Sequence, residues 1–183
     1  MALKSTIFKA DLQIADMDRQ YYDGHGLTIA RHPSETDERM MVRILAFVLH
    51  AHEALSFGKG LSTDDEPDLW QKDLTGAIEL WIDVGQPDEK RIMKACGRSN
   101  QVMIYSYSSM SNIWWNQIAS KVDRAKNLSV FNLPAATSQA LAKLAQRSMQ
   151  LQCTIQDGQV WINGEGESCL LYTSDAADEG LGV

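Results

Sequence analysis

Hydrophobic and polar positions alternate along Lys4 to Ala15, with Thr6, Phe8, Ala10, Leu12 and Ile14 on one side and Lys9, Asp11 and Gln13 on the other. This is the period of a half-buried strand. A second strand is expected over Tyr22 to Ala30 beyond the turn-rich ADMDR, with an irregular start at DGHG. The period then changes. Met40, Met41, Ile44, Leu45, Val48 and Leu49 recur at helical spacing behind Pro33, Ser34 and Asp37, which predicts a helix from about Ser34 to Leu55. Ser56 to Thr63 reads as a short strand, followed by the acidic turn TDDEPDLW. Ile78 to Val84 alternates again as a strand, and Pro87 suits the first turn of a helix that runs through Ala95 and stops near Gly97. A strand at Gln101 to Ser106, a helix at Asn112 to Ala125, a strand at Leu128 to Leu133 and a helix at Thr137 to Arg147 follow. The pattern closes on a hairpin: Met149, Leu151, Cys153 and Ile155 alternate up to Asp157-Gly158, a two-residue turn signal, and Val160 to Asn163 returns. Hairpins at both ends with strand, helix, strand, helix, strand between them predict one α/β domain, mixed α+β in composition, with a mixed sheet.

Composition changes that picture only at the margins. The 183 residues are 44% hydrophobic and 22% charged with 4 prolines, which excludes collagen-like and disordered classes. The longest apolar stretch, Met40 to Leu49, is broken by Arg43 and falls far short of the roughly 20 residues of a membrane span. The start, MALKSTIFKA, lacks the apolar core of a signal peptide, so a cytoplasmic protein without a membrane partner is expected. The segment CLLYTSDAADEG resembles the translated transposase adaptor of short-read sequencing libraries. Residues 169–183 are therefore read as a non-native tail, and 1–168 as the domain. Setting aside Asp175, Asp178 and Glu179 lowers the 24 acids to 21 against 17 bases, a net charge of −4 rather than −7. Cys96 and Cys153 remain, too few for a disulfide framework or a zinc site.

Candidate chemistry lies at element ends. Glu38 stands at a helix start, Asp65 and Asp68 in the acidic turn, and Asp83 at the end of a strand. Hard divalent cations need several carboxylate oxygens on one point, and the ends of neighbouring elements are where separate segments converge. Lys90, Arg91 and Lys94 follow on the next helix, where a cation could neutralise a phosphate or position water. The same acids also cap helices and fill turns, and the same bases make an ordinary solvated face. No HExxH, GxSxG, GxxxxGK[ST] or GxGxxG occurs, and Cys96 has no histidine partner in sequence. The pair Trp114-Trp115 offers either a stacking platform for bases or one core ring beside one at its edge.

The segments ARHPSETDERMM, DDEPDLW, ELWIDVGQPDEKRIMKAC, NIWW, NLSVFNLP and TIQDGQVWI together resemble the YaeQ family of bacterial proteins, in register from Met1 to about Ser168. The resemblance implies a restriction-endonuclease-like core of the PD-(D/E)xK superfamily with flanking hairpins. Carried over residue by residue, it implies an acid from the first helix at Glu38. The proline-preceded aspartate falls at Asp68, with Asp65 as the neighbour to weigh, and the (D/E)xK acid at Asp83. Gly85 stands where the motif lysine should, which points to a lysine moved onto the adjoining helix: Lys94 first for its depth, then Lys90.

Two functions follow from that likeness. One is metal-dependent phosphodiester hydrolysis, with Asp68 or Asp65 and Asp83 holding Mg²⁺ or Mn²⁺, Glu38 adding a ligand or orienting water, and the migrated lysine stabilising charge on phosphate. The other is a non-catalytic binding or regulatory module that keeps the fold. Mild acidity argues against a large footprint on duplex DNA. Nucleic acid would be met through a local patch of Lys90, Arg91, Lys94, Arg98, Lys121, Arg124 and Lys126.

Overall fold

A computed structural model describes residues 4–165 with their side chains, and beyond them the backbone of strands Glu167–Tyr172 and Ser174–Asp175. Most of the tail set aside above, including 176–183, lies outside the described residues. In chain order the elements are β1 (Thr6–Asp16), β2 (Tyr21–Arg31), α1 (Asp37–Leu49), β3 (Leu55–Phe57), β4 (Leu69–Lys72), β5 (Ile78–Val84), α2 (Glu89–Arg98) and β6 (Ser99–Tyr107). They continue with α3 (Ser111–Val122), β7 (Leu128–Leu133), α4 (Ala135–Ala142), β8 (Ser148–Gln156), β9 (Gln159–Gly164), β10 (Glu167–Tyr172) and β11 (Ser174–Asp175). The fold is mixed α+β. It groups into two compact units, Met1–Ile44 with Ala136–Thr173, and Leu45–Ala135 with Ser174–Val183.

In the first unit the two terminal hairpins join each other instead of extending the central strands. The sheet order is β10-β9-β8-β1-β2, antiparallel except where β1 runs parallel to β8 with Leu12 opposite Leu151. The period-two pattern is the cause: Phe8, Leu12 and Ile14 in β1 and Met149, Leu151 and Cys153 in β8 bury the same side of the sheet. Asp157 and Gly158 take φ of 54° and 76°, the positive values a type I′ turn requires. Asp18 steadies that turn by accepting from the N–H groups of both residues, at 2.7 and 2.9 Å.

The second unit carries the sheet β11-β7-β6-β5-β4-β3. Strands β5, β6 and β7 are parallel, connected through α2 and α3, while β4 and β3 add antiparallel to the β5 side. Trp81, Ile92, Ala95, Val102, Ile104, Trp114, Trp115 and Ile118 make its core. Both indoles of the Trp114-Trp115 pair are therefore packed inside, and Trp114 Nε1 donates to the carbonyl of Pro87 at 2.8 Å. Neither ring is a platform for bases.

Several elements differ from the expected ones: α1 ends at Leu49 rather than Leu55, α4 spans Ala135–Ala142 rather than Thr137 to Arg147, and three further differences have a local reason. α1 begins at Asp37, because Thr36 Oγ1 accepts from Arg39 N while Ser34 is engaged with His32. The strand expected over Ser56 to Thr63 ends at Phe57, because Gly60 takes φ +47° and starts a 3₁₀ turn over Gly60–Ser62. Strand β4 comes out of what reads in sequence as an acidic turn. Its first residue, Leu69, is fully buried opposite Ile82.

Candidate carboxylate centre

The antiparallel register of β4 and β5 sets Leu69 opposite Ile82, which places Asp68, just before β4, beside Asp83, near the end of β5. Both are buried, with exposures of 2% and 1%. Buried carboxylates are costly unless paired and hydrogen-bonded, and the chain supplies partners from several segments. Asp68 Oδ2 accepts from Val84 N at 2.8 Å, and the N–H of Asp68 donates to Asp83 Oδ1 at 3.3 Å. Trp81 Nε1, two residues back on the same strand face, donates to Asp83 Oδ2 at 3.0 Å.

The charge is met by Arg91. Asp88 caps α2 by accepting from Arg91 N at 2.8 Å, which fixes the first turn of the helix above Asp83. From there the guanidinium reaches Asp83 with both arms, Nε to Oδ2 at 2.9 Å and Nη2 to Oδ1 at 3.0 Å. Its other N–H groups donate to the carbonyls of Glu66 at 2.9 Å and Thr63 at 3.2 Å, and Nη1 lies 3.6 Å from the Asp64 carboxylate. Burial disfavours this charge, but the hydrogen bond to Asp83 and the fields of Asp83, Asp68 and Asp64 hold the guanidinium more firmly protonated than usual. Arg91 also lies over the Trp81 ring, 6.0 Å from its centroid, with Arg98 at 5.4 Å.

The remaining sequence candidates fall elsewhere. Asp65 is at the surface, its side chain 76% exposed, paired with Lys94 Nζ at 2.9 Å. The hydrogen bond and charge of Lys94 hold its carboxyl below the usual range. Lys94 is thus engaged outside the centre, and Lys90 is exposed. Glu38 belongs to the first unit, where Oε2 accepts from Ser138 Oγ at 3.1 Å. The structure brings together Asp68 and Asp83 alone of the proposed ligands. Among the described residues no three carboxylate, imidazole or thiol groups converge to hold a metal ion. The residue that sequence reasoning ranked too low is Arg91. It lies four before the buried Ala95 and next to the buried Ile92, on the inner stripe of α2, whereas Lys90 and Lys94 are exposed. That spacing was the available signal.

The donor set around Asp83 does not fit a divalent cation as it stands. Each carboxylate oxygen already accepts two hydrogen bonds, Oδ1 from Asp68 N and Arg91, Oδ2 from Trp81 and Arg91. A metal would have to displace a guanidinium bound through two arms.

Comparison with known proteins places the chain in a family. The family profile described as YaeQ protein matches residues 1–172. The chain is 48% identical over 164 residues to the YaeQ protein of Salmonella typhi, covering 89% of this chain and 91% of that one. It is 46% identical over 166 residues to YaeQ of Escherichia coli K12, covering 90% and 92%. The crystal structure of YaeQ from Xanthomonas axonopodis pv. citri superposes with a TM-score of 0.89 at 49% identity, over 93% of this chain and 97% of that one. That of YaeQ from Pseudomonas syringae gives 0.90 at 35% identity, over 93% and 95%. No helix among the described residues is long and apolar enough to cross a membrane. With a profile match over most of its length and bacterial relatives near one-half identity, the chain belongs to the YaeQ family.

Proposed function

We propose that this chain is a non-catalytic binding module on a restriction-endonuclease-like core, in which the carboxylates of the PD-(D/E)xK positions serve structure. The observation that supports this reading is the two-armed hold of Arg91 on Asp83. Hydrolysis of the expected kind needs an acid with lone pairs open to Mg²⁺ or Mn²⁺ and a mobile cation for the phosphate. Here the acid is saturated, and the guanidinium is tied to two backbone carbonyls as well. Arginine cannot give up a proton to act as a base. Lys94, the residue ranked first for the missing lysine, is occupied by Asp65 at the surface.

The ligand class to test first is nucleic acid. Lys90 near the start of α2 and Lys121, Arg124 and Lys126 at and beyond the end of α3 are exposed bases, while Arg91, Lys94 and Arg98 are committed to Asp83, Asp65 and the Asp65 carbonyl. A second reading, a metal-dependent phosphodiesterase, is favoured by the adjacency of Asp68 and Asp83 at strand ends. It requires Arg91 to leave Asp83, and Glu38, Asp65, Lys90 or Lys94 to move into roles they do not occupy.

The test is to incubate the protein with labelled single- and double-stranded DNA and RNA, with Mg²⁺ or Mn²⁺, and to follow retention and cleavage in one experiment. Salt-sensitive retention with intact substrate is the expected result. Cleavage that needs metal and disappears in Asp68→Asn and Asp83→Asn overturns the binding reading. Neither retention nor cleavage moves the ligand class to protein.

A further inference from the structure

The surroundings of the Arg91 guanidinium are those of a cation site. It is faced by oxygen: both carboxylate oxygens of Asp83, the carbonyls of Thr63 and Glu66, and, from the solvent side at 3.6 Å, the exposed Asp64 carboxylate. Carboxylates mixed with backbone carbonyls on an irregular loop are what a hard divalent ion such as Ca²⁺ takes as ligands. We propose that the Arg91 guanidinium is the resident cation of this oxygen cage, standing where a metal ion would otherwise neutralise Asp83 and gather the loop 63–66. This rests on the reading of the centre as structural and adds what holds it together.

The physical case is one of charge and shape. Two buried carboxylates side by side repel each other and are costly to bury without a positive charge within a few ångströms. A guanidinium supplies that charge from the protein itself, and its planar fork matches a carboxylate through two parallel hydrogen bonds. Its remaining N–H groups donate to the carbonyls of Thr63 and Glu66. Because the cation is covalently attached, the cage closes without ions from solution. The prediction that follows is specific: with the side chain of Arg91 cut back, the cage accepts a cation from outside.

The experiment measures melting of wild type, Arg91→Ala and Arg91→Gln with no added ion, with a few millimolar Ca²⁺ or Mn²⁺, and with the same concentration of guanidinium chloride. Both variants are expected to melt lower than wild type, and to recover at least about 3 °C with a divalent ion or guanidinium. Wild type is expected not to shift. Mn²⁺ resonance should report one bound ion per variant chain, lost when Asp83→Asn is added. If the variants are unfolded without ions, recovery of their circular dichroism on adding these ions supports the proposal. Its absence, or a wild-type shift equal to that of the variants, overturns it. Cleavage is assayed on wild type alone, so failure of the binding reading and failure of this one are read separately.

Discussion

Gly60 and Asp68 meet so closely that no larger residue fits at position 60: a Cβ there would fall 2.3 Å from Asp68 Oδ1. The backbone at Gly60 also takes φ +47°, which side chains disfavour. The glycine of the 3₁₀ turn is thus a condition for the Asp68 carboxylate to stay where it accepts from Val84 N. Gly60→Ala is expected to cost about 2 kcal/mol or more, measured by chemical denaturation. Gly97, inside α2 with open space at its Cβ, is the opposite case, and Gly97→Ala should stabilise by about 0.5 kcal/mol. Equal effects of the two substitutions would remove the argument from close approach.

Two cations on one helix should differ sharply in worth. Removing Arg91 leaves Asp83 buried without its partner, a loss of about 3 kcal/mol. Lys94→Ala breaks a pair that is mostly in water and should change stability by less than about 0.5 kcal/mol. Urea denaturation of the two variants decides between this ranking and the one that sequence depth suggested.

Trp81 carries a polar duty beside its packing. Trp81→Phe keeps a ring against Trp70 but deletes the donor to Asp83 Oδ2. The expected cost is about 1 to 2 kcal/mol. A double-mutant cycle with Asp83→Asn should show coupling between the two residues, and purely additive losses would mean that the indole N–H contributes nothing there.

Burial at Cys153 predicts a pH dependence. The folded thiol is pushed up to about 12, against an ordinary 9.0. Between these values the folded chain keeps a proton that the unfolded chain releases, so stability is whole below pH 9 and declines as pH rises towards 12. The loss from this group should reach about 1 kcal/mol by pH 10. Cys153→Ala removes that part of the slope between pH 8 and 10. An unchanged slope would assign it elsewhere, for example to Cys96, whose thiol burial also raises.

The strands and helices were readable wherever one face is buried and the other wet. Ile78–Val84 and Leu128–Leu133 match their expected bounds, and the Asp157-Gly158 turn has the geometry its residues predict. Strand β4 was not readable, because Leu69–Lys72 is short, lies behind a run of acids, and earns its place only by pairing with β5. Helix α1 looked too long for a similar reason. Every residue from Met40 to Val48 is buried, so the apolar pattern blurs its ends and a hydroxyl cap at Thr36 decides the start. How the hairpins would join was also hidden, since the parallel pairing of β1 with β8 links residues about 140 positions apart, as in Leu12 with Leu151.

At the carboxylate centre the acids were legible and their partner was not. Asp68 and Asp83 stand out as acids at strand ends, and the pairing of β4 with β5 sets them side by side. The choice of cation turned on rotation about α2, where one residue of difference separates the inward Arg91 from the exposed Lys90. A search for a lysine passes over an arginine on the better face.

The measurement closest to the central claim is a titration of the wild-type chain with Mn²⁺ followed by electron paramagnetic resonance, beside Asp83→Asn. With Arg91 filling the cage, the free-ion signal should stay undiminished at millimolar metal and the two proteins should behave alike. One ion bound per wild-type chain and lost in Asp83→Asn would show that Asp83 has lone pairs to give a metal, and would contradict the account.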